Sequence, residues 1–217
     1  MNTAQTSKRA TWAYAEQHRG DDPVLAAARR RAEELGVPAV GGGVSAALTM
    51  LAASAGARTL VEVGTGAGVS GLSLLRGAGA DAVLTSIDVD ADRLHAARAA
   101  FRDGGFPAGR TRLITGRAEE VLPRMSPGGY DLVLLDGDPL DVVDNSVDAL
   151  RMLRPGGMLI VNDALADDTV PRPAVRDGAT VQMRRAERML LEDEQLSTAM
   201  LGSGTGLLVA VTRPRRR

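Results

Sequence analysis

Cysteine is absent from this chain of 217 residues. Disulfides, thiolate metal sites and a cysteine nucleophile are thereby excluded. Aromatic residues make up only 2% of the sequence, with a single tryptophan, so a pocket walled by stacked rings is not expected. Lysine occurs once, at Lys8, and arginine supplies the other positive charges. Arginine stays protonated and makes a poor general base. Any mechanism that needs a catalytic lysine must therefore use Lys8. Strong charge of either sign is missing too: the formal net charge is −1, which offers no bulk attraction to nucleic acid or to an anionic membrane. Long hydrophobic runs are also lacking. The longest weakly apolar stretch, residues 44–57, is too short and too rich in Ala, Ser and Gly to span a bilayer. Residues 1–8 are polar and lack the apolar centre of a signal peptide. A cytoplasmic location is expected. What is present, 44% hydrophobic and 24% charged residues, suits a well-buried globular chain. Residues 1–217 are expected to form one domain, with 1–20 as an N-terminal arm or helix and the basic 213–217 as a solvated tail.

The chain is organised around Thr59-Leu-Val-Glu-Val-Gly-Thr-Gly-Ala-Gly-Val-Ser-Gly71. Residues 60–63 read as a buried parallel strand with one misfit, Glu62. Gly64, Gly66 and Gly68 follow, then a helical pattern over 69–75. A strand, a glycine turn and a helix make a nucleotide-type site, because glycine lets the backbone come close to a ligand. Glu62 bears on which ligand. A carboxylate repels a pyrophosphate but accepts hydrogen bonds from hydroxyls or an amine. S-adenosylmethionine carries ribose hydroxyls, an ammonium and a sulfonium, and no phosphate.

Residues 1–20 hold Trp12, Tyr14 and His18, either on a terminal helix that packs its rings on the body or on a lid over a substrate pocket. Asp21-Asp22-Pro23 starts a helix with an acidic cap and an early proline, and an amphipathic pattern runs over 24–35. Ala39-Val-Gly-Gly-Gly43 reads as a flexible connector, with Ser45 capping the next helix as far as about residue 55. From there the pattern alternates. Strands are expected at 83–88, 111–115, 131–136 and 158–161, and helices at 90–101, 118–122 and 140–153. Pro155-Gly-Gly157 reads as a turn. Such alternation implies an α/β, Rossmann-like doubly wound sheet with helices on both faces. Residues 163–177 read as a long loop and 179–193 as a helix. Residues 196–201 and 207–212 form a hairpin, which brings one antiparallel C-terminal strand into the sheet.

Glu62, Asp88, Asp136 and Asp163 all fall at strand ends. Ligands in open α/β sheets sit outside those ends, and like charges gathered on one rim repel unless something uses them. Asp88 ends the strand after the glycine turn, where an acid meets ribose hydroxyls. That placement serves NAD as well as S-adenosylmethionine. Gly66-Ala-Gly-Val-Ser-Gly71 also satisfies the dinucleotide fingerprint, although it begins two residues late.

These residues resemble the class I S-adenosylmethionine-dependent methyltransferases. Within that class they are similar to the cation-dependent O-methyltransferases, the family of catechol and caffeoyl-CoA O-methyltransferases. The likeness spans about residues 24 to 212. It is carried by Val61-Glu-Val-Gly-Thr-Gly-Ala-Gly-Val-Ser70, Ile87-Asp-Val-Asp90, Gly116-Arg-Ala118, Tyr130-Asp-Leu-Val-Leu-Leu-Asp136, Leu153-Arg-Pro-Gly-Gly157 and Gly202-Ser-Gly-Thr-Gly-Leu-Leu208. The resemblance implies a seven-stranded sheet, a small hydroxylated acceptor and a homodimer. It implies that Val40, Glu62, Gly64, Thr65, Gly66, Gly68, Ser70, Asp88, Val89, Ala118 and Asp136 bind the cofactor. Glu62 would hold the methionine end or nearby backbone, Ser70 its carboxylate, Asp88 the ribose and Val89 the adenine. Asp136, Asn162 and Asp163 would hold a divalent cation such as Mg²⁺. The family's Asp-Asn pair is reversed here, as Asn162-Asp163. The position of its usual lysine base is Pro139, which leaves Asp136, Asp138 and Asp163 as candidates to take a proton. Two other readings stand beside O-methyl transfer: a cofactor-binding protein without turnover, and a nicotinamide-dependent oxidoreductase.

Overall fold

The computed structural model describes residues 3–213. Residues 1–2 of the arm and 214–217 of the basic tail lie outside that range. In chain order the elements are α1 (Thr3–Gln17), α2 (Pro23–Glu34), α3 (Gly42–Ser54), β1 (Thr59–Val63), α4 (Val69–Gly77), β2 (Val83–Asp88), α5 (Ala91–Asp103), β3 (Thr111–Thr115), α6 (Ala118–Val121), β4 (Tyr130–Leu135), α7 (Val142–Met152), β5 (Leu153–Val161), α8 (Gly178–Glu192), β6 (Leu196–Leu201) and β7 (Leu207–Thr212). The strands form one seven-stranded sheet in the order β3-β2-β1-β4-β5-β7-β6. β7 runs antiparallel to both its neighbours and the other pairings are parallel. The expected doubly wound sheet with one reversed strand is what the chain adopts.

Each strand feeds two cores. Leu60, Leu84, Leu132 and Ile160 face α3, α4 and α5. Their neighbours Val61, Ile87, Val133 and Leu159 face α7 and α8 on the other side. Successive side chains alternate across a sheet, so a strand covered on both faces must be apolar at nearly every position. That is why 60–63, 132–135 and 158–161 read as apolar runs, with Glu62 the one exception. β1 lies between β2 and β4, where the strand order reverses. The crevice there opens at the carboxyl ends of the strands.

Three local expectations need correction. Ser45 does not cap α3. The helix begins at Gly42, and buried Ser45 lies within it, its hydroxyl 3.2 Å from an Arg29 guanidinium nitrogen. The free N–H of Gly43 in the first turn is met instead by the Glu16 carboxylate at 3.1 Å. A cap supplied by a distant side chain leaves no local signature. Pro155-Gly-Gly157 is the start of β5 and not a turn before it; β5 shifts register against β4 between Tyr130 and Leu132 to accommodate the extra residues. Of the connector expected over 39–43, Gly42 and Gly43 already belong to α3 and Gly41 is its N-cap, so the helix starts earlier than read.

Elsewhere the local chemistry behaves as read. Asp22 caps α2 by accepting from the N–H groups of Val24 and Leu25 at 2.9 and 3.1 Å. Gly68, at φ +89°, precedes α4.

Candidate functional site

A large cavity of about 890 Å³ opens above the carboxyl ends of β1, β2, β4 and β5. The glycine turn forms its floor. Gly64 adopts φ +85°, and a Cβ there would lie 2.0 Å from the Asp136 carbonyl oxygen. No side chain fits. The close approach joins the ends of β1 and β4, where the Asp136 N–H donates to the Val63 carbonyl at 2.8 Å.

Glu62 is not in the cavity. None of its surface is exposed, and it lies behind the wall. Its two carboxylate oxygens accept from the hydroxyls of Ser86 at 2.6 Å and Ser70 at 3.0 Å. Burial pushes its carboxyl up to about 7; the two serine hydroxyls pull it down, and the nearby Asp136 charge pushes it up again. Glu62 thus holds Ser70 and Ser86 from behind the cavity wall and does not line the cavity itself. An alternating strand turns Glu62 toward α4, where it sets the position of Ser70. Gly71 leaves room for it: a Cβ there would sit 2.4 Å from Glu62 Oε1.

The other expected cofactor residues, Val40, Gly64, Thr65, Gly66, Ser70, Asp88, Val89, Ala118 and Asp136, all line the cavity. Gly68 does not. It sits against α5, where a Cβ would be 2.9 Å from the Ala97 Cα, so it serves helix packing. Asp88 is buried. One of its oxygens accepts from the Gly66 N–H at 2.9 Å and the other from the Asp90 N–H at 3.0 Å. The buried hydroxyl of Thr65 makes no hydrogen bond of good geometry, although it lies close enough to help hold the Glu62 carboxyl down.

At the other end of the cavity Asp136 meets Asn162 and Asp163. The Asn162 amide donates to Asp136 Oδ1 at 2.7 Å. Its own carbonyl oxygen is buried and has no partner. Asp136 is pushed up to about 7 by burial; the Asn162 amide works against this, and the Asp163 charge adds to it. Asp163 is also raised by burial, against the hydrogen bonds from Thr205 and the Asp167 N–H. It takes a left-handed backbone, φ 52°, uncommon for a residue with a side chain. That turn rotates its carboxylate onto the cavity wall beside Asn162, although neighbours in an extended chain would point apart. Asp138 borders the cavity and caps the turn after β4 by accepting from the Leu140 N–H at 2.9 Å.

The sequence reading missed Arg93, Arg117, Asp141, Asn145, Asp167 and Met183, which also line the cavity. Asn145 alone left a signal: a polar residue on the buried face of amphipathic α7.

The family model described as O-methyltransferase matches residues 21–213. A putative O-methyltransferase from Mycobacterium ulcerans is 47% identical over 199 residues, covering 92% of this chain and 89% of the relative. A solved Corynebacterium glutamicum protein superposes with a TM-score of 0.88 at 30% identity, covering 99% of this chain and all of that one. The O-methyltransferase TomG from Streptomyces achromogenes, solved with S-adenosylmethionine, gives a TM-score of 0.85 at 24% identity over 98% of this chain and 100% of its own.

Proposed function

This chain belongs to the O-methyltransferase family, and we propose that its cavity seats S-adenosylmethionine beside a small hydroxylated acceptor and passes the methyl group between them. One observation carries the reading. Asp88, Asp136 and Asp163, which end three different strands or follow them, come together in one cavity above a glycine turn.

Asp88 is already fixed by two backbone N–H groups. Its remaining lone pairs accept the ribose hydroxyls. Val89 and Ala118 border the adenine. Gly64, Thr65, Gly66 and Ser70 receive the methionine end, to which the Thr65 hydroxyl supplies a donor. Val40 covers it, and Glu62 supports Ser70 from behind. Gly68 lets α4 approach α5. In the reaction the acceptor oxygen attacks the methyl carbon opposite sulfur. The carbon–sulfur bond breaks, its electrons stay on sulfur, and neutral S-adenosylhomocysteine is left. Holding donor and acceptor in line supplies several kcal/mol of the acceleration. With Pro139 where the family carries lysine, the acceptor's proton passes to a carboxylate, with Asp136, Asp138 and Asp163 in reach of the cavity. A carboxyl raised by burial suits a phenolic proton better than an ordinary one.

Asp136, Asn162 and Asp163 would hold a divalent cation. They fit one in kind: all offer hard oxygens, and the buried Asn162 oxygen lacks any other partner. Such a cation would lower the pKa of the acceptor hydroxyl. The family likeness also favours a homodimer in the cytoplasm; among the described residues no helix is long and apolar enough to cross a membrane.

Calorimetry separates the competing readings. S-adenosylhomocysteine should bind and NAD should not. Mass analysis of a panel of hydroxylated aromatics, with and without Mg²⁺, should show a product heavier by one methyl group. Binding without any product would favour a cofactor-binding protein, and preference for NAD would favour an oxidoreductase.

A further inference from the structure

Helix α1 is tied to the body through Glu16. Its Oε1 accepts from the Ser203 hydroxyl and the Gly204 N–H, each at 2.8 Å, in the loop between β6 and β7. Its Oε2 accepts from the Gly43 N–H in the first turn of α3 at 3.1 Å. The seat is shaped for this side chain. A Cβ on Gly43 would lie 2.4 Å from Glu16 Oε1, and one on Gly42 would lie 2.7 Å from the Glu16 main-chain oxygen. Gly204, at φ +54°, would bring a Cβ within 2.7 Å of a Val44 methyl. Nothing in the methyl-transfer reading uses this arrangement.

Beside it lies a second recess of about 510 Å³. Trp12 and Glu16 wall one side, and Asp167, Asp168 and Thr205 the other. Gly41, Asp167, Gly204 and Thr205 line both this recess and the main cavity. The two adjoin through Thr205, which lines both and shares the main cavity with Asp163. Trp12 is half exposed, so its ring is not spent on core packing.

We propose that this recess receives the part of the acceptor remote from its reacting hydroxyl, with Trp12 as the specificity-determining wall and Glu16 as the positioning residue that seats α1. The inference rests on the methyl-transfer reading, since only that reading supplies an acceptor. The lining also sets the acceptor's class. An indole face stacks on flat aryl groups and attracts cations. Asp167 and Asp168 repel anions, and among the described residues no lysine or arginine lines the recess. The acceptor is a neutral or amine-bearing hydroxyaryl compound, not a carboxylate or phosphate ester.

Trp12 is the only tryptophan, so its fluorescence reports directly on the recess. The full chain, saturated with S-adenosylhomocysteine and Mg²⁺, is titrated with 4-methylcatechol, dopamine and protocatechuate. Trp12 emission should respond to the first two at concentrations at least tenfold below any response to the third. Glu16→Gln keeps the size of the side chain but leaves one accepting oxygen for donors that now use two. It should raise acrylamide quenching of Trp12 and weaken acceptor binding fivefold or more. Its affinity for S-adenosylhomocysteine should stay within twofold of the parent. Trp12→Ala should weaken the same acceptors similarly, and Trp12→Phe should restore most of the loss. Equal response to protocatechuate, no response to any probe, or variants that bind acceptor like the parent would overturn the proposal. Loss of S-adenosylhomocysteine binding by the parent chain would instead strike the methyl-transfer reading beneath it.

Discussion

Asp88 holds the turn and lines the cavity. It accepts from the Gly66 and Asp90 backbone N–H groups, with the Arg93 guanidinium 3.7 Å from one of its oxygens. Hydrogen bonds to a charged acceptor contribute about 1.5–3 kcal/mol each. Asp88→Ala should weaken S-adenosylhomocysteine binding by roughly 1 kcal/mol or more, about fivefold. Titration calorimetry reads this directly, and an unchanged affinity would remove the ribose assignment. At this scale the sequence was informative wherever a residue's role is set by the strand it ends. Asp88 and Asp136 were legible because a carboxylate at the end of an apolar run has few other places to go. Glu62 was legible as an oddity but not in its direction, because only the packing of α4 shows that it points inward. Glu16 was not legible at all. Its partners Gly43 and Ser203 lie 27 and 187 residues away, and no periodicity or spacing links them.

Among the elements, the join between β1 and β4 is a tight constraint. Gly64 combines a left-handed backbone with a clash against main-chain atoms of the opposing strand end, and main chain cannot swing aside. Gly64→Ala should cost more than about 3 kcal/mol, the sum of backbone strain and displacement of a packed strand. Urea unfolding would measure it, and a variant of parental stability would contradict the close approach. The alternation of β and α elements could be read because apolar runs bounded by glycine or proline are local signals. The start of α3 could not, because its cap comes from another helix. Nor could the beginning of β5, where Pro155-Gly-Gly157 has turn chemistry but pairs with β4 and β7 through neighbouring residues.

Across the whole molecule, buried acids tie stability to pH. Glu62 has an ordinary value of 4.5 and rises to about 7 in the fold. The folded chain therefore keeps a proton there that the unfolded chain releases. Stability from this group is fully present below about pH 4.5, falls as pH rises through that interval, and is gone above about 7. A shift of this size corresponds to roughly 3 kcal/mol. Thermal unfolding of the ligand-free chain should show a melting temperature that declines from pH 5 to pH 8. Glu62→Gln, which cannot titrate, should flatten that decline; a parallel curve would place the pH dependence elsewhere.

The sheet order has a consequence during synthesis. β6 forms the outer edge and touches the sheet only through β7, yet β6 is translated first. A nascent chain with β6 outside the ribosome and β7 still in the tunnel offers an unpaired strand beside an unfinished edge at β5. Both are open to mispairing with other chains. Chaperone demand should peak in that interval and end when β7 slots between them.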